Sequence, residues 1–92
     1  MRIWGKIFRE NHLLRDTVVE LDGPERRTLK VFEGLRLICT EFDLAVPTWL
    51  DVNIREFQRI AKTRFRQDSF IETIPFDYLE FQVIEEDPWM PV

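Results

Sequence analysis

The chain reads as an α+β fold of two layers, element order β-β-α-α-(β)-β, with two antiparallel helices on one face of an antiparallel or mixed sheet. Three observations lead there. Apolar and polar residues alternate with period two near both ends of the 92-residue sequence. Two central stretches repeat their apolar residues at helical spacing instead. Breakers at Asp22-Gly23-Pro24 and at Pro47 separate one pattern from the other. An all-helical fold would have to discard the alternation at both ends.

The first strand is expected over residues 2–9, Arg-Ile-Trp-Gly-Lys-Ile-Phe-Arg, which alternate loosely and are rich in strand formers. After Glu10-Asn11-His12 a second run extends from Leu13 to Leu21, with Thr17, Val19 and Leu21 on one face and Asp16, Val18 and Glu20 on the other. Two such runs across a short polar stretch form a β-hairpin. Asp22-Gly23-Pro24-Glu25 supplies a capping Asp, a first-turn Pro and a Glu that opposes the helix dipole, so a helix is expected from about Pro24 to Phe42. Thr28, Val31, Phe32, Leu35, Ile38, Cys39 and Phe42 fall within an arc of about 120°, the stripe of a core-facing helix. Leu29 and Leu37 lie off it.

Pro47 and Thr48-Trp49-Leu50-Asp51 open a second helix, whose seam is Leu50, Ile54, Phe57 and Ala61 and which ends near Lys62. Thr63-Arg64-Phe65-Arg66 is a candidate short strand, and the stretch to Ile74 carries no clear period. Tyr78 to Ile84 is a strand, with Leu79, Phe81 and Val83 on one side and Glu80 and Gln82 on the other. Residues 1–87 are assigned to the domain and 88–92 to a C-terminal tail.

Size and composition bound the function. A chain this short buries only about 60–65% of its unfolded surface. Eight Phe, three Trp and one Tyr supply large apolar areas to compensate. No apolar run could span a bilayer, and charges interrupt the first residues too early for a signal-peptide core. A lone Cys suits a reducing compartment, so a cytoplasmic location is expected. The net charge of −4 argues against a general nucleic-acid or acidic-membrane binder, though a local basic site remains open.

The charge is segregated. All thirteen basic residues lie in the first sixty-six positions, while the last twenty-six hold seven acids and no Lys or Arg. The acidic third is therefore expected to dock on basic groups such as Arg2, Lys6 and Arg9, through many weak pairs.

Catalytic chemistry has little to work with. His12, Cys39 and Ser69 are the only residues of their types, and no placed partner is indicated for any of them. His12 falls in the hairpin turn and Cys39 on the apolar stripe, where a thiol is an inert core residue. One Cys and one His make no zinc cluster, Glu85-Glu86-Asp87 splays across a strand end, and no Gly-rich loop cradles phosphate. No catalytic residue, metal or cofactor is assigned.

Two candidate sites remain. Arg55, Arg59 and Lys62 lie at i, i+4 and i+7 of the second helix, and Arg66 extends the row if the helix continues. Guanidinium forks there match phosphate oxygens. The simpler reading is a solvated face partly paired with the chain's own acids. Trp4 and Phe8, on the sheet face away from the helices, and Trp89 in the tail form a candidate interface, the alternative being that Trp89 and Met90 fold back and cover that patch within the chain. The leading expectation is a non-catalytic protein-interaction module that self-associates as a homodimer. The alternative is an anion-binding module, for nucleic acid or phosphorylated ligands, that uses the basic stripe.

Overall fold

The computed structural model describes residues 1–88. The order is β-β-α-α-β-β: β1 (Arg2–Arg9), β2 (His12–Glu20), α1 (Arg27–Glu41), α2 (Asp51–Ile60), β3 (Lys62–Phe65) and β4 (Tyr78–Glu85). A 3₁₀ turn at Gln67–Ser69 lies between β3 and β4. The four strands form one antiparallel sheet in the order β2-β1-β4-β3, so β1 sits between its hairpin partner and the last strand. Both helices cover one face. The predicted α+β architecture stands, and the short Thr63 strand is real.

The hairpin turns at Glu10 and Asn11, both with positive φ, as a two-residue turn matched to strand twist requires. Asp77 secures this turn from outside. Its carboxylate accepts the Glu10 N–H at 2.8 Å, and its own N–H donates to the Phe8 carbonyl at 2.9 Å. A register shift after Ile7 places an extra residue, Leu14, in β2.

Inward-facing residues alternate as the sequence implied. Ile3 and Ile7 of β1, Leu79, Phe81 and Val83 of β4, and Phe65 of β3 join Val31, Leu35, Ile38, Cys39 and Phe42 of α1 in one core. Gly5 and Gly34 are the points of closest approach between helix and sheet. A Cβ on Gly5 would lie 2.5 Å from Ile38 Cγ2, and one on Gly34 would lie 2.5 Å from Ile3 Cδ1. Gly5→Ala should therefore destabilise the protein by about 1–3 kcal/mol through overpacking, read as a lower urea midpoint at unchanged slope. Ile38 is fully buried and has no room to yield.

Two expected core residues are displaced. Phe32 is 52% exposed and Ile54 41% exposed. On α1 the buried positions are Lys30, Val31, Gly34, Leu35, Ile38 and Cys39, a stripe turned toward Gly34. The missing side chain at Gly34 lets that side of α1 settle on β1, which carries Phe32 to the rim and leaves Thr28 exposed. On α2 only Asn53 and Phe57 are buried, and Ile54 faces outward. The first helix also begins later than expected. Its N-cap is Arg26, with no side-chain cap, and Asp22 to Glu25 stay outside it.

Between the helices, Trp49 is the hub of an aromatic cluster. Its ring meets Phe65, Phe57, Phe81 and Phe32 edge to face, at centroid distances of 5.0, 5.3, 6.0 and 6.3 Å. The stretch after β3, illegible as periodicity, is held by specific bonds. The Gln67 amide donates to the Glu72 carbonyl at 2.7 Å and accepts from the Ile74 N–H at 2.9 Å. Phe70, Ile74 and Phe76 are buried beneath this loop.

Candidate functional site

The helices leave the second sheet face open, and strand order decides what gathers there. Arg2, Trp4, Lys6 and Phe8 of β1 point outward because Ile3, Gly5 and Ile7 point in. Pairing aligns them with β4, Trp4 opposite Gln82, Lys6 opposite Glu80 and Phe8 opposite Tyr78. β3 then adds Lys62 beside Gln82 and Arg64 beside Glu80, while β2 adds Val18 beside Trp4 and Asp16 beside Lys6.

These residues form one bonded surface. Lys6 Nζ lies 2.9 Å from Glu80 Oε2, donates to Gln82 Oε1 at 3.2 Å, and sits 3.8 Å from the Trp4 ring centroid. Arg64 Nε donates to Glu80 Oε1 at 3.1 Å. Trp4 Nε1 donates to Asp16 Oδ2 at 2.8 Å. Phe8 stacks on Tyr78 at 5.3 Å, and the guanidinium groups of Arg64 and Arg66 lie 4.5 and 5.1 Å from the Tyr78 ring centroid. Lys6 and Glu80 are buried although no layer among the described residues covers them, because their large neighbours wall them in. Trp4, Phe8 and Tyr78 are half-buried.

Burial would by itself raise the Glu80 carboxyl. Hydrogen bonds from Lys6 and Arg64, with their charges, outweigh it and hold the group below its usual range. A carboxyl whose folded-state pKa is depressed stabilises the fold above its unfolded value, and that contribution is lost as pH falls through the folded one. The wild type should therefore exceed Glu80→Gln in stability at neutral pH. The gap should close below about pH 4, where carboxylates protonate in the unfolded chain. Urea titrations of both proteins across that range test this.

The predicted basic stripe is divided. Ala61 adopts a left-handed conformation, φ 53° and ψ 32°, and ends α2 after Ile60. Arg55 and Arg59 stay on the exposed side of α2, opposite the buried Phe57. Lys62 enters β3 and Arg66 follows it, so neither continues a helical row. Both instead join the face that carries Trp4 and Phe8. The two candidate sets thus partly merge on the sheet, with Tyr78 and Arg64 added. The expected pairing of the stripe with the chain's own acids is also corrected. Among the described residues, no carboxylate lies within 4.0 Å of Arg55, Arg59, Lys62 or Arg66. Trp89 lies outside the described residues.

The acidic C-terminal third does dock on basic groups. Arg2 lies 4.0 Å from Glu85, Arg27 is bidentate to Glu86 at 2.9 and 3.0 Å, and Lys30 lies 2.9 Å from Asp87. With Lys6 and Arg64 on Glu80, these pairs tie β4 and its exit to β1, β3 and α1.

The single-copy reactive residues lie apart from this face. His12 is exposed at the start of β2, and Ser69 is buried, its hydroxyl directed at Asn53 Oδ1. Cys39 is fully buried on the inner side of α1, and burial, aided by the Glu72 charge, pushes its thiol up to about 12. Thiol reagent should label the protein only at the rate of its unfolding, and fully once it is denatured. Among the described residues, no group of three or more His, Cys, Asp or Glu is placed to hold a metal ion. No helix among them is long and apolar enough to cross a membrane.

A second exposed apolar surface lies between the helices, a cleft of about 410 Å³ where Phe32 and Ile54 flank Trp49 and Phe57. The only cation lining it, Arg27, is tied to Glu86. The chain matches no protein-family model, and neither a curated protein nor a solved structure is detectably similar to it.

Proposed function

We propose that this protein is a small non-catalytic interaction module whose working surface is the open outer face of the sheet. One observation carries the reading: three aromatic side chains, Trp4, Phe8 and Tyr78, are fixed by cross-strand contacts on a face that no layer among the described residues covers. An antiparallel sheet face left to water is ordinarily polar, whereas aromatic residues with few rotatable bonds are the usual anchors of protein interfaces. The interhelical cleft is apolar too, but it has no unengaged cation to orient a partner. A lone, buried thiol suits a reducing compartment, and the reading places the module in the cytoplasm.

The test compares two double variants of the tagged protein in its own cytosol. Trp4→Ser/Phe8→Ser removes apolar surface from the sheet face, and Phe32→Ser/Ile54→Ser removes it from the cleft. Protein crosslinks lost in the first and kept in the second support the reading. The reverse outcome moves the function to the cleft.

The anion-binding reading is kept for one reason: Lys62 and Arg66 have no carboxylate within 4.0 Å among the described residues, and Arg66 lies over Tyr78. It requires a labelled oligonucleotide to bind with an affinity that falls as salt rises.

A further inference from the structure

We infer that the partner of the outer sheet face is a second copy of this chain, packed face to face about a two-fold axis parallel to the strands. The inference rests on the reading of that face as the working surface. An axis placed midway between β1 and β4 lays β2 of one protomer over β3 of its partner, and β1 over β4. Each residue keeps its level along the strand direction.

The charges fit this operation. From β2 to β3 the middle level reads Asp16, Lys6, Glu80, Arg64, or negative, positive, negative, positive. Reversing the order inverts every sign. Asp16 then faces the partner's Arg64, and Lys6 faces the partner's Glu80. One level away Phe8 meets the partner's Tyr78, and on the other side Trp4 meets the partner's Gln82. At the end of the sheet Arg2 meets the partner's Glu85. The two other two-folds lack this match. An in-plane axis across the strands, centred on the middle level, sets each charge over its own copy. Edge-to-edge pairing of β2 with itself, centred on Val18, sets Asp16 against the partner's Glu20. Opposite potentials specify register and reject wrong arrangements.

Size sets the expected strength. Strands of nine, eight, eight and four residues, about 4.8 Å apart and rising about 3.3 Å per residue, make a face of about 460 Å². Two such faces bury about 900 Å², just under the roughly 1,000 Å² of a stable specific interface and in the range of weak, transient ones. Aligned sheets of this kind pack about 10 Å apart with interdigitating side chains. The dimer should therefore be reversible, concentration-dependent and weakened by salt.

The experiment is sedimentation equilibrium of the wild type, Asp16→Arg, Arg64→Asp and an equal mixture of the two variants, with circular dichroism confirming that each is folded. The wild type should dimerise, and each variant alone should raise the dissociation constant by about tenfold or more. The mixture should recover the wild-type constant, because a heterodimer restores opposite charge at both crossings. Wild-type affinity that falls between low and high salt supports the same geometry without any substitution, should a variant fail to fold. A dimer insensitive to salt and to Asp16→Arg overturns the inference, as does a folded pair of variants whose mixture stays monomeric. A wild type monomeric at all concentrations also overturns it. If that monomer still makes crosslinks lost in Trp4→Ser/Phe8→Ser, the working surface stands and its partner is another protein. If it makes none, both readings fall. If it instead binds oligonucleotide in a salt-dependent way, the anion reading replaces them.

Discussion

Phe57→Ala is expected to cost about 3–5 kcal/mol, the range for emptying a buried aromatic site. Phe57 is 7% exposed and is the only large apolar side chain of α2 that reaches the core. Its ring meets Trp49 at 5.3 Å and Phe81 at 5.7 Å, with the Arg27 guanidinium 5.4 Å from its centroid. Collapse cannot heal the gap easily. Phe81 is fixed in β4, and Trp49 is held by its other ring contacts. A domain of this length has only about 5–14 kcal/mol of total stability, so the variant should fall near the limit of cooperative folding. Phe57→Leu keeps most of the volume and should lose only about 1–2 kcal/mol. Urea unfolding of both variants checks the ratio. Equal small losses would mean that α2 is held by its hydrogen bonds and not by this ring.

The aromatic core was largely legible because it depends on local period. Alternation in residues 2–9 and 78–84 gives the inward residues of β1 and β4 directly, and the apolar spacing gives both helices. Failures occur where a position depends on a partner remote in sequence. Phe32 looks like core on a helical projection. Only the close approach of Gly34 to Ile3 turns the helix far enough to expose it. The basic stripe failed at one residue. Ala61 in a left-handed conformation ends α2 where glycine would have signalled a stop, so Lys62 opens β3 and the continued helix on which Arg66 depended is absent.

The site was half legible for the same reason. Trp4 and Phe8 could be put on the outer face from β1 alone. Tyr78, Arg64 and Arg66 join them only once β1 lies beside β4, seventy or more positions away, and β4 beside β3. Charge segregation did foretell part of it. A last third that holds acids but no bases implies that β4 seeks basic neighbours, and Arg2 and Lys6 supply them.

Asn53 was missed altogether, and its replacement should have the next largest effect. It stands one turn before Phe57 on the buried side of α2 and is 2% exposed. A polar residue four before a core aromatic was the available signal. Its Oδ1 accepts the Leu50 N–H at 3.0 Å, which satisfies a free donor at the start of α2. Its Nδ2 donates to Thr63 Oγ1 at 2.9 Å and to the Arg64 carbonyl at 3.0 Å, joining α2 to β3. Asn53→Ala leaves the Leu50 donor and the Arg64 acceptor unpaired where water has little access. Each such loss costs about 1–3 kcal/mol, and some water entry offsets it, so about 2–4 kcal/mol in all is expected. Asn53→Asp separates the donor role from the space filled. The carboxylate retains the acceptor for Leu50 but turns an oxygen toward the Arg64 carbonyl, so its charged form is disfavoured and its folded-state pKa rises. A carboxyl raised on folding penalises the native state at neutral pH, and the penalty shrinks as acid protonates it and restores a donor. Asn53→Asp should therefore be at least as unstable as Asn53→Ala at pH 7 and gain on it toward pH 5, measured as the difference in urea midpoints. A difference that does not change with pH would show that Arg64 is satisfied by water, and that Asn53 acts only as the cap of α2.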